Sequence, residues 1–440
     1  MPEPAVHRLA ARAAGIAAPG GLPAPVAEAV EGLVVNGLSQ LLRPEGPHFG
    51  PSAWLEDEIV AAGIAIHRDD FDDTDPVGGT HPTAPLLPAA IGAVRLRTSP
   101  IAGSQFLSAL AAGYEVMGRL SRTAPHVLTR TGFHATSVFG ALGAAVSAGV
   151  LLDLDEARLA DAMGIAASQA SGVIQSVAEG GDLKLFHGGW AAVAGLHAAR
   201  WAARGVLTPP DLAIEGPYGL LNGFARRPGL SIDLEALDLE GFTLESIEAK
   251  RYPCCHFLHA AIELLLEFRR DHPEVAVEDI EAIRCTLPTE AKDVVCEPRD
   301  LRLAATGYDR KFSLPQVAAL VVTQGVPGLD WFTDAVESPA LAERVEHRLT
   351  DDVELRLGYG AEVEVVVAGR TVFAGRRVSA GSDRTAAMRD REFLQHKFRS
   401  SLVAHGFDAD DADRRLAVVG GVGHAVDVAA LLDQLLAPAG

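Results

Sequence analysis

The chain has 440 residues, with 38 Lys and Arg against 58 Asp and Glu, a formal net charge of −20. That charge excludes a nucleic-acid binder, which needs a basic surface to displace counterions from phosphates. Apolar residues at 48% and charged residues at 22% mark a globular chain, long enough for two domains, and not a disordered one.

The opening segment MPEPAVHRLAARAAGIAAPGG has two arginines and no continuous apolar run, so it does not read as a secretory signal. From Thr131 to Leu152 the chain lacks formal charge, yet His134, Thr136, Ser137, Ser147 and several glycines interrupt it. This predicts a buried small-residue helix with its loop, not a membrane span. Behind Asp153 and Asp155, apolar residues at Leu159, Met163, Ala166 and Ala170 predict an amphipathic helix. A further helix is expected over Phe186 to Arg204, with Trp190, Val193, His197 and Trp201 along one face and Gly205 closing it.

After about residue 246 the period changes. Ile280 to Leu287, Val353 to Leu357, Ala361 to Val367 and Thr371 to Phe373 alternate with period two, and Ala368-Gly369-Arg370 makes a plausible hairpin turn. Helices are expected at about His256 to Arg270 and Leu314 to Thr323, and again from about Thr385. The fold class that follows is mainly α with an α+β insert: a helical domain of 1–245 and 384–440 and a smaller α+β lid domain of 246–383.

Familiar chemistry is missing. There is no G-x-S-x-G elbow, and no lysine follows a glycine as a phosphate loop requires. Gly420-Gly421-Val422-Gly423 lacks the third glycine of a dinucleotide loop and reads as a turn between helices. The cluster His67 to Asp75 (HRDDFDDTD) fails the calcium-loop pattern, and Cys254, Cys255, His256 and His259 lack a standard zinc spacing. Four cysteines (Cys254, Cys255, Cys285, Cys296) are too few for a disulfide scaffold, so a cytoplasmic home is expected.

Four segments concentrate ionisable residues between glycines and prolines: His67 to Thr74 with Gly78 to Pro82, Gly132 to Ser137, Gly180 to Gly189, and Lys250 to His256. Only five basic residues are lysines (Lys184, Lys250, Lys292, Lys311 and Lys397), which makes each one informative. Together the segments supply His81 and His134 as proton-transfer groups, Lys184 and Lys250 as carboxylate partners, and Asp70 as an orienting or basic carboxylate. Helix N-termini after Gly132 and Gly188 would attract anions further.

The same segments carry a family resemblance. In order, HRDDFDDT…THP, GFHATSVFGALGAA, GGDLKLFHGGWAA, KRYPCCHFLHAAIE and YDRKFSLPQVAA resemble the MmgE/PrpD family of 2-methylcitrate dehydratases, cis-aconitate decarboxylases and iminodisuccinate epimerases. The resemblance implies a homodimer with its site between a helical domain and a lid, acting on di- or tricarboxylates without cofactor or metal. Matched to the cis-aconitate decarboxylases, Asp70, Thr74, His81, His134, Lys184 and Lys250 fall on active-site positions. Cys255 and Gln316 stand where those decarboxylases carry a histidine and a tyrosine, and the loop from Asp70 to His81 is one residue longer.

The expected activity is that of a lyase, a dehydratase or decarboxylase of a small polycarboxylate. Lys184, Lys250 and Arg251 would pair with substrate carboxylates, and His81 or His134 would move a proton next to one of them. An epimerase or isomerase using the two histidines on opposite faces is the alternative, and a non-catalytic carboxylate-binding homologue the third.

Overall fold

The computed structural model describes residues 3–44, 46–47, 55–225, 232–297, 306–380 and 388–437. At the centre of the helical body lies the helix Ala135–Leu151, buried along its whole length except at Val150. Its small residues let neighbours come close. A Cβ on Gly195 of the facing helix Phe186–Arg204 would lie 2.5 Å from Ala144 Cβ and 2.6 Å from Ala145 N, so only glycine permits this approach. That facing helix turns its glycines and alanines inward and leaves Trp190 and Trp201 43% and 41% exposed. Its N-terminus is at Phe186, reached through a tight turn over Leu183–Leu185, so no helix begins after Gly188 as expected.

The helices Thr83–Leu96, Gly103–Arg122 and Glu156–Ala167 complete the packing around the centre. Asp155 caps the last of these by accepting from Arg158 N at 2.9 Å, the start signal expected there. C-terminal helices Arg391–Ala404, Ala409–Val419 and Val428–Leu436 share the same apolar core, which runs from Ala5 to Ala249 and resumes at Met388. A second core, from Cys254 to Val365, belongs to the lid. No helix among the described residues is long and apolar enough to cross a membrane.

Two strands, β1 (Asp73–Thr74) and β2 (Glu248–Ala249), pair antiparallel and stitch the acidic loop to the start of the lid. The lid sheet contains β3 (Ile280–Pro288), β4 (Val345–Thr350), β5 (Tyr359–Val367) and β6 (Arg370–Ser379) in the order β4-β3-β5-β6. The β5–β6 hairpin turns on Ala368 and Gly369, both at positive φ as a two-residue turn of this hand requires. Two readings change. Val345–Thr350, which the alternation did not single out, is the strand parallel to β3. Val353–Gly358 is a helix and not a strand, because Asp352 accepts from Glu354 N and Leu355 N (3.0 and 3.2 Å) and only Leu355 and Gly358 are buried. A local cap outweighs five residues of alternation when no partner strand is at hand.

Candidate functional site

The site grows from the end of the helix Leu55–Arg68. Two residues on, Asp70 has φ +50°, a left-handed conformation that aspartate adopts more readily than most non-glycine residues and that its surroundings here hold in place. Four of the chain's five lysines do so. Lys311 Nζ donates to the carbonyls of Asp69 (2.8 Å) and Pro253 (3.1 Å), and Lys397 Nζ to those of Phe71 (2.7 Å) and Lys250 (2.8 Å). Between these clamps the Asp70 carboxylate meets Lys184 Nζ at 3.1 Å on one oxygen and Lys250 Nζ at 2.9 Å on the other. All four lysines are buried, whereas Lys292 stays at the surface.

A ring of contacts closes behind Asp70. Lys250 Nζ lies 3.5 Å from Asp72 Oδ1, and Asp72 Oδ2 accepts from His67 Nδ1 at 2.7 Å. His67 Nε2 then accepts from Lys184 Nζ at 2.7 Å. Two carboxylates, two ammonium groups and one neutral imidazole sum to zero charge, which is what makes so polar a ring tolerable in the interior. Burial opposes ionisation of both carboxylates, but the lysines at Asp70, and His67 with Lys250 at Asp72, hold each well below the usual carboxylate range. Asp73 forms no ion pair with any described residue. Burial and the neighbouring Asp72 push it up to about 7, against a hydrogen bond from Thr83 N at 3.3 Å.

In front of the ring opens a cleft of about 740 Å³, counting the space at its mouth. Asp70, Thr74, His81, His134, Lys184 and Cys255 line it, so six of the nine residues singled out by sequence share one cavity. The His67–His81 and His81–His134 ring centroids are 4.9 and 6.3 Å apart. His81 Nδ1 faces the Asp73 carbonyl at 2.9 Å and Thr74 Oγ1 at 3.2 Å. A carbonyl can only accept, so Nδ1 carries the proton and Nε2 keeps its lone pair. His134 Nδ1 shares a proton with His187 Nδ1 across 3.2 Å. Burial, with Lys250 and Lys184 for His81 and Lys184 for His134, holds both imidazoles well below their usual value and therefore neutral at pH 7.

The other three residues lie elsewhere. Lys250 is wholly buried behind Asp70 and is its counter-ion, with no face on the cleft. The Arg251 guanidinium sits 5.1 Å over the Phe393 ring, drawn to the aromatic face and away from the cavity. Gln316 accepts from Arg310 Nε at 2.9 Å inside the lid. Cys255 does face the cleft, but burial and the nearby Asp70 push its thiol up to about 11, so it is not a thiolate. His67, His81 and His134 offer nitrogens within 4.8 Å of one another, a spacing that suits a metal ion. Both nitrogens of His67 are already engaged, by Asp72 and by Lys184, so an ion would have to displace the ammonium.

Comparison with known proteins gives the same answer for both halves of the chain. Residues 21–233 match the MmgE/PrpD N-terminal domain and residues 252–421 the MmgE/PrpD C-terminal domain. The chain belongs to the MmgE/PrpD family. Similar proteins include a cis-aconitate decarboxylase-like protein, oryM, of Aspergillus oryzae, 28% identical over 63% of this chain and 60% of that protein. Two proteins of Aspergillus terreus named cis-aconitate decarboxylase are 27% and 28% identical, each over 55% of this chain and 49% of their own length. The chain thus spans half to three fifths of these relatives. The MmgE/PrpD C-terminal match runs past the lid into Arg391–Ala404, the helix that brings Lys397 to the site.

Titration of the buried imidazoles makes stability pH-dependent. His67, His81, His126, His134, His187 and His259 are all lowered from 6.5 by burial, His187 to about 4 and His259 to about 3. Each binds its proton more readily in the unfolded chain, so its contribution is present at pH 7 and is lost as pH falls below about 6.5. Asp73, with its raised value, works in the opposite sense, and Asp70 and Asp72 act only below about pH 4. Six groups against one predict that the unfolding free energy, measured by urea denaturation, falls from pH 7 to pH 5. The slope is up to about 1.4 kcal/mol per pH unit for each histidine. A flat or rising profile contradicts the neutral-imidazole assignment.

Proposed function

We propose that this protein is a lyase for a small di- or tricarboxylate, working by histidine and lysine acid–base chemistry to eliminate water or carbon dioxide. Lys184 carries the reading: of the four buried lysines it alone lines the cleft, its ammonium held between Asp70 and His67 and flanked by His81 and His134. A substrate carboxylate docks on Lys184 Nζ. His81 Nε2 takes the proton from the adjacent carbon, and the electron pair moves into the carboxylate, where the second negative charge faces the ammonium. In dehydration the C–O bond on the next carbon breaks and the hydroxyl leaves as water with a proton from His134, which enters this step as the imidazolium once the bound carboxylates have raised it. In decarboxylation no C–H proton is taken: the C–C bond to a carboxylate breaks, carbon dioxide leaves, its electron pair stays on the carbon facing the ammonium, and His134, protonated once the substrate is bound, delivers a proton there. The names of the similar proteins support this class of reaction, and the bound carboxylate itself raises the depressed imidazoles toward working range.

The 6.3 Å between the His81 and His134 rings also suits two bases on one carbon, which favours an epimerase as the second reading. Incubation with 2-methylcitrate, citrate and cis-aconitate in D2O, followed by NMR, separates the cases. Turnover of at least one acid with deuterium next to a carboxylate is the expected result. Deuterium exchange with loss of optical rotation and no change of skeleton selects the epimerase, and silence with all three acids overturns both.

A further inference from the structure

The cleft holds a second polar group that the acid–base set does not use. Glu290, from the turn Thr289–Ala291 after β3, His126, just before the short helix Val127–Thr131, and Tyr359, at the start of β5, all line it. The Tyr359 ring lies 5.8 Å from that of His126 and stacks on Phe257 at 4.1 Å. Glu290 spends one carboxylate oxygen on Arg356, taking Nε at 2.8 Å and Nη2 at 2.5 Å on Oε1 alone. Its Oε2 is buried and takes no hydrogen bond from any described residue. A buried carboxylate oxygen without a donor is unfavourable, and here it borders a cavity that a ligand can fill.

His126 presents a second acceptor. Its Nε2 faces the Pro76 carbonyl at 3.2 Å, so Nε2 carries the proton and Nδ1 the lone pair. Gly79 lies in front of it: a Cβ there would be 2.7 Å from Nδ1, so glycine keeps that nitrogen clear. The backbone is strained at the same place, with φ +57° at His126 and +52° at Tyr359. With Asp70, three of the five non-glycine residues at positive φ among the described residues line this one cleft, and such strain persists where a site requires it.

We propose that Glu290 and His126 form a subsite that selects a hydrogen-bond donor on the ligand, and that the donor is a hydroxyl. The inference rests on the polycarboxylate reading above: a carboxylate docks on Lys184 while the hydroxyl of the same molecule donates to Glu290 Oε2 or His126 Nδ1. A carboxylate placed against Glu290 is repelled, so this wall discriminates hydroxylated acids from their deoxy analogues.

Calorimetric titration of the full chain with citrate and with tricarballylate, its analogue without the hydroxyl, tests this. Citrate is expected to bind at least ten-fold tighter. In Glu290→Gln the remaining oxygen stays with Arg356 and an NH2 donor replaces Oε2, so the preference is expected to fall below three-fold while tricarballylate affinity does not fall. Equal binding of the two acids by the unaltered protein, or an unchanged preference in folded Glu290→Gln, overturns the subsite. Aspartate binding tighter than malate overturns the assignment of the donor as a hydroxyl. If both acids bind equally and Lys184→Met abolishes both, the polycarboxylate reading stands and the subsite alone fails. If neither acid binds, the reading it rests on fails with it.

Discussion

Replacing Lys184 by Met is expected to lower kcat about 10²- to 10³-fold for whichever acid the protein turns over, because the variant loses the charge that meets the developing anion. The loss belongs to the chemical step, so a fall in kcat well beyond any rise in KM is the signature to seek in steady-state kinetics. The fold has a way to absorb the change. Without Lys184 the ring of Asp70, Asp72, Lys250 and His67 carries one excess negative charge. His67 is held down by burial first and by Lys184 second, with Asp72 pulling it up. Removing the ammonium lets His67 take a proton and restore neutrality, so Lys184→Met should gain stability relative to the parent as pH falls through about 6.5. Equal pH profiles for the two proteins would show that His67 and Lys184 are not electrostatically joined.

Asp70→Asn is expected to be the most damaging single substitution at the site. Asparagine tolerates the left-handed backbone at φ +50°, so the change isolates the charge. It leaves Lys250 buried against Asp72 at 3.5 Å and Lys184 buried against the neutral His67, and breaking a buried ion pair costs about 3–5 kcal/mol. Activity should vanish with it. The double variant Asp70→Asn/Lys184→Met removes one charge of each sign and should recover part of the stability and none of the activity. Urea denaturation of the four proteins gives the coupling energy directly, and additive effects would contradict the ring.

The helical body was legible because its signals are local: charge-free small-residue runs, Asp155 as a cap, Gly205 as a stop. Six residues of the cleft were legible because they sit in dense motifs bounded by glycine and proline. What escaped depends on distant partners. His67 and Asp72 lie in the acidic motif, yet their roles follow from a lysine more than a hundred residues away. Lys397 lies in an ordinary amphipathic helix, and only its carbonyl partners at Phe71 and Lys250 reveal it. Lys250 and Lys184 look alike in sequence, both next to small or apolar residues in a motif. The pairing of β1 with β2 draws Lys250 N onto the Asp72 carbonyl at 3.1 Å and turns one of two candidate substrate cations into a structural counter-ion.

The lysine clamps also bear on how the molecule is made. Along the chain the loop Asp69–Asp72 precedes all four lysines that hold it. Lys184 follows Asp70 by 114 residues, Lys311 follows Asp69 by 242, and Lys397 follows Phe71 by 326. At translation speeds of about 5–20 residues per second, a nascent chain carries two of these aspartates uncompensated for tens of seconds. The helical body can collapse meanwhile around its local contacts, but the loop is fully clamped only when the helix Arg391–Ala404 emerges and docks. The Lys397 contact is therefore the last of these lysine clamps to form, and a chain released before Lys397 carries the acidic loop without it.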